Sequence, residues 1–81
     1  MKSIYEDAYR QLLTELVAAR KAASLTQQDL ADALRRPQSF VSKIETGDRR
    51  LDVIEFLTIC RLTDADPTEL LRRLDKRVRR R

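Results

Sequence analysis

Residues 26–47 read TQQDLADALRRPQSFVSKIETG, a run that opens on a helix-capping pair and closes on the only glycine in the chain. Thr26 with Asp29 three residues later is a helix start. Leu30, Ala31 and Leu34 then share one side. Pro37 interrupts, and the apolar spacing resumes at Phe40, Val41 and Ile44. The run is two short helices joined by a tight turn. On the second helix, Gln38, Ser39, Ser42, Lys43 and Thr46 all lie within about 70° of the direction opposite the apolar side. Hydroxyls and an amide stand where an ordinary solvent face carries Glu–Lys pairs four apart. Gln bonds adenine through two atoms, Lys reaches guanine or phosphate, and Ser or Thr bonds either base type. This polar side therefore suits base edges in a DNA groove, although on this helix alone a plain solvated face stays open.

Working outward, three more helix starts have the same form: Ser3 with Glu6, Asp52 with Glu55, and Asp66 with Glu69. Each places an acid near the positive end of a helix. Leu25/Leu30, Leu51/Phe56 and Ala65/Leu70 add hydrophobic staples, and Pro67 sits at a first helical position. The spacing predicts five helices, at 4–23, 27–34, 38–46, 53–62 and 67–78. Tyr5, Tyr9, Leu12, Leu13, Leu16 and Val17 form the apolar face of the first. Val53, Phe56, Leu57 and Cys60 form that of the fourth, with Cys60 as a small core residue. No alternating strand pattern competes, so the fold class is all-α. Gly47 directly after the third helix marks a left-handed end that aims the loop Asp48–Arg49–Arg50.

Eighty-one residues make one domain, with a core over about 4–74 and a basic tail over about 75–81. One cysteine excludes a disulfide framework within the chain and suits a reducing compartment. No apolar run approaches the roughly 18–20 residues that span a bilayer, and the acidic start does not read as a secretion signal. The expectation is a cytoplasmic protein without membrane contact. Net charge is +4, unevenly spread. Residues 72–81 carry seven bases and one acid, and residues 35–50 five bases and two acids. Residues 51–71 carry one base, Arg61, against five acids. A basic side centred on the second helix of the pair fits a polyanion approached from one direction.

Leu25–Ala31, Pro37–Gly47 and Arg49–Arg50 together resemble the lambda-repressor-like (Cro/Xre-type) helix-turn-helix DNA-binding domains. The likeness covers about residues 10–74. It implies a compact five-helix domain whose third helix, 38–46, enters the major groove. It matches Gln38, Ser39, Ser42 and Lys43 to base-reading or adjacent phosphate positions, and Gln27 to a phosphate clamp at a helix N-terminus. Arg49 and Arg50 match a backbone-contacting loop. Arg20 and Glu45 match a structural pair that ties the first helix to the third. Ser24, Arg35 and Asp64 depart from the pattern: they stand at helix ends where glycine is usual, and a left-handed turn there costs each about 1 kcal/mol.

There is no histidine, no paired cysteine and no glycine-rich phosphate loop. The expectation is no metal, no cofactor and no enzymatic activity. The function expected is sequence-specific binding of double-stranded DNA as a transcriptional regulator. A homodimer would read a near-palindrome, with Leu70, Leu71, Leu74 and Val78 on the last helix as candidate dimer contacts. Two rivals stand beside it. One is an antitoxin-like or other protein-interaction module, in which the last helix binds a protein partner and DNA is secondary. The other is non-specific attachment of the basic tail to nucleic acid or an anionic membrane surface.

Overall fold

A computed structural model describes residues 4–79 and, from Tyr5 onward, their side chains. It contains α1 (Ile4–Ala22), α2 (Gln27–Leu34), α3 (Gln38–Thr46), α4 (Val53–Thr63) and α5 (Pro67–Arg79), with no strand among the described residues. The Ser3 cap and the tail residues Arg80 and Arg81 lie outside the described residues.

The capping sequences act as their chemistry dictates. At α2, Thr26 Oγ1 accepts from the Asp29 N–H and the Asp29 carboxylate accepts from the Thr26 N–H, both at 2.9 Å. Asp52 and Glu55 make the same reciprocal pair at α4, at 2.7 and 2.9 Å. The start of α5 differs. Asp66 Oδ1 accepts from the Thr68 and Glu69 N–H groups, but Glu69 does not reach back, because Arg72 and Arg73 hold its carboxylate.

Helix ends turn left-handed at Ser24, Arg35 and Asp64 (each φ 60°) and at Gly47 (φ 90°). The three non-glycine turns are held by bonds that reach back over them: Leu25 N–H to the Arg20 carbonyl, Arg36 N–H to Ala31, and Ala65 N–H to Cys60. These satisfy carbonyls that a helix end would otherwise leave bare, which offsets the strain.

The core is Leu13 and Leu16 of α1, Leu30 and Ala31 of α2, Val41 and Ile44 of α3, Phe56, Ile59 and Cys60 of α4, and Leu70 of α5. Leu25, Leu51 and Ala65 are each half-buried ahead of their helices, where the staples require. The face expected for α4 is corrected. Phe56, Ile59, Cys60 and Thr63 point inward, while Val53 is 70% exposed and Leu57 41%. The α4 sequence, VIEFLTICRLT, is apolar on nearly every side, so spacing alone does not choose the inner face. Tyr5 of α1 is likewise exposed.

Gly47→Ala should lower unfolding free energy by about 1 kcal/mol in urea denaturation. The cost would come from φ alone, since an added Cβ meets only Leu13 Cδ1 at an ordinary 3.6 Å. Ser24→Gly should act oppositely, gaining up to about 1 kcal/mol.

Candidate nucleic-acid interface

Helices α2 and α3 are the site's scaffold, and one hydrogen-bonded chain holds them. Arg20, near the end of α1, is 8% exposed. Its Nε donates to Glu45 Oε2 at 2.7 Å and its second terminal nitrogen to Glu45 Oε1 at 3.1 Å. The remaining nitrogen donates to the Leu25 carbonyl at 2.8 Å. Glu45 Oε1 also accepts from Gln27 Nε2 at 2.8 Å. Gln27 Oε1 in turn accepts from Gln38 Nε2 at 2.6 Å.

The direction of this chain is forced. A carboxylate only accepts, so Gln27 must turn its NH₂ to Glu45 and its carbonyl to Gln38. Gln38 must then donate, leaving its own carbonyl oxygen and one N–H for a partner. A buried ion pair thus sets which way an exposed amide faces. The sequence reading places Gln27 at a phosphate; in the structure its amide is the link between Glu45 and Gln38.

The other exposed α3 side chains are less committed. Ser39 and Lys43 are exposed and Ser42 half-buried, and none makes a side-chain hydrogen bond among the described residues. Thr46 donates to the Lys43 carbonyl of its own helix at 3.3 Å. The N-terminus of α3 begins at Pro37 without a side-chain cap.

The loop after α3 is tied down at both arginines. Arg49 is bidentate to Glu55, at 3.0 and 2.9 Å, and its guanidinium lies 4.5 Å from the Phe40 ring centre. Arg36 stacks on the same ring at 5.0 Å. The Arg49 bond, with the Asp52 N–H behind it, holds the Glu55 carboxyl below its usual range, and Glu55 holds Arg49 above its own. Arg50 lies 4.1 Å over the Tyr9 ring, and Tyr9 Oη accepts from the Leu51 N–H. Arg50 and Lys43 have no ion-pair partner among the described residues. Sequence reasoning assigned Glu55 only to a cap and missed Arg36, Phe40 and Tyr9. Their contacts cross a loop or join separate helices, where no periodicity reports them.

The basic tail is not beside this surface. Arg73 of α5 pairs with Glu15 of α1 at 2.9 Å, whereas Arg20 pairs with α3. Glu15 and Arg20 are five residues apart, about 140° around α1, so α5 and α3 occupy different sides of it. Of the candidate dimer residues, Leu70 is 6% exposed and in the core, Leu74 and Val78 are half-buried, and only Leu71 is exposed. No helix among the described residues is long and apolar enough to cross a membrane.

A family model described as a helix-turn-helix domain matches residues 11–74. A solved structure from Pseudomonas syringae pv. tomato str. DC3000, titled XRE-family like protein, is 52% identical with a TM-score of 0.84. That match covers 90% of this chain and 89% of the other. No curated protein matches the chain. The chain belongs to the Cro/Xre-type helix-turn-helix family. It is a DNA-binding regulator in the general sense of that family, one whose members are generally not enzymes.

Arg20→Ala should cost about 3–5 kcal/mol, because it strands the Glu45 charge. Arg20→Met with Glu45→Leu should recover most of that, which chemical denaturation of the three proteins would measure. Glu55→Gln keeps an acceptor for the cap and removes the ion pair. A carboxyl with a depressed folded pKa stabilises fully above its unfolded value and loses that contribution as pH falls through the folded one. Wild-type stability should therefore drop below about pH 4, and Glu55→Gln should flatten that drop while starting lower at pH 7.

Proposed function

We propose that the chain reads a specific double-stranded DNA sequence as a transcriptional regulator, with α3 in the major groove, as a homodimer on a near-palindromic operator. The observation that carries this reading is the fixed amide of Gln38. Its free carbonyl oxygen and second N–H have the acceptor–donor pattern that complements adenine N6 and N7. An amide meant only for solvent gains nothing from being oriented by a buried ion pair two residues removed.

Around it, Ser39, Ser42, Lys43 and Thr46 supply further groups for base edges or nearby phosphates. Gln27 spends its amide on Glu45 and Gln38, so its part is to position the reader, with any phosphate contact made through its remaining N–H. The uncapped start of α3 adds a partial positive charge on the same side. Arg50 brings an uncompensated guanidinium to the backbone, whereas Arg49 arrives already neutralised by Glu55. Such a role puts the chain in the compartment that holds the DNA.

Selecting bound duplexes from a random pool tests the reading: a near-palindrome with half-sites about one helical turn apart should be enriched. Gln38→Ala should relax preference at one position in each half-site by about 1–3 kcal/mol, and Gln27→Ala should relax the same position in part. A uniform loss over all sequences would remove Gln38 from base reading. In salt titrations Arg50→Ala should lower the slope by about one unit, and Arg49→Ala by less.

A further inference from the structure

Helix α4 presents an apolar face that the body leaves uncovered. Val53 and Ile54 are each 70% exposed and Leu57 is 41% exposed. Spacings of three and four put them on one side of the helix. Leu71 of α5, 52% exposed, lies beside Val53, and the two line one hollow with Leu12, Leu51 and Phe56. Isolated exposed apolar residues are ordinary, but a contiguous set marks an interaction surface.

The charges at the two ends of this face identify its occupant. Arg61 continues the Val53–Leu57 row by one more turn. It is the only base between residues 51 and 71, is exposed, and has no ion pair or side-chain hydrogen bond among the described residues. Asp52 stands at the other end. One of its carboxylate oxygens caps the Glu55 N–H, and it too has no ion-pair partner among the described residues. The face is therefore apolar in the middle, negative at one end and positive at the other.

We propose that this face binds a second copy of the chain, as an antiparallel pair of α4 helices with Leu57 at the two-fold axis. Arg61 lies about 6 Å along the helix from Leu57 and Asp52 about 7.5 Å the other way, at 1.5 Å per residue. In the antiparallel pair, position 61 of one copy falls opposite position 53 of the other, next to Asp52. Two-fold symmetry makes the contact twice and buries both apolar rows against each other. An unrelated partner would need its own matching charges, whereas a second copy brings them by construction. The α4 helix directly follows the Arg49–Arg50 loop, so this axis sets the two loops on either side of it. The inference rests on the dimeric reading above and specifies its surface, moving it from the Leu70–Val78 stripe to α4 and Leu71.

Sedimentation analysis of the full chain without DNA tests it. Wild type should be dimeric at about 100 µM, and Leu57→Glu should be monomeric with an unchanged circular dichroism melt, since position 57 lies on the surface. Ile54→Lys, a second surface change, should also weaken the dimer. Arg61→Glu and Asp52→Asn should each weaken it at least tenfold, with Asn retaining the cap. The variant Asp52→Asn with Arg61→Gln should lose no more than Asp52→Asn alone. A monomeric wild type overturns the proposal, and so does a Leu57→Glu protein that remains dimeric. The oligomeric state is read without DNA, so a failure of sequence-specific DNA reading is seen separately, in binding to a duplex with one half-site, which Leu57→Glu should retain.

Discussion

The Arg20–Glu45 ion pair is the constraint on which the reading surface depends. Two charges taken largely out of water gain little net stability from each other, because desolvation offsets much of the attraction. What they fix is geometry. Every guanidinium nitrogen of Arg20 is spent, two on Glu45 and one on the Leu25 carbonyl. That locks the end of α1, the entry to α2 and the last turn of α3 to one another. Through Gln27 the same carboxylate then dictates the direction of the Gln38 amide. A binding group that would rotate freely on an isolated helix is held in one orientation before any partner arrives, which spares the ordering cost of binding.

A second device holds the far end of α3. Glu55 closes the cap of α4 and also grips Arg49, so one carboxylate sets both where α4 starts and where the preceding loop lies. Phe40 and Tyr9 give the loop's arginines flat surfaces to rest on. The α2–α3 unit is thereby clasped from both sides, by α1 at one end and by α4 at the other. The tail's positive charge is carried on α5, around the other side of α1.

Much of this was legible in the residues. The starts of α2 and α4 could be placed because Thr26–Asp29 and Asp52–Glu55 are local chemistry, complete within four residues. The end of α3 could be placed because the chain's single glycine sits there. Reading stopped where the relevant neighbour was distant in sequence. Arg49 looked like a free cation because nothing in its own segment announces Glu55 across the loop. Leu70 looked like a candidate contact between copies because its row on α5 is continuous, yet the core takes it and leaves Leu71 outside. In α4 the apolar residues run nearly all round, so which side faced inward depended on α1 and α2 being there to cover it.

Helix number, helix boundaries, the polar side of α3 and the helix-turn-helix family are written in short-range patterns, since capping, periodicity and turn chemistry act over a few residues. The orientation of Gln38, the neutralisation of Arg49, the separation of tail from reading helix and the uncovered face of α4 belong to the tertiary structure alone. Each requires groups from different helices to meet at hydrogen-bonding or packing distance, and only the folded chain brings them there.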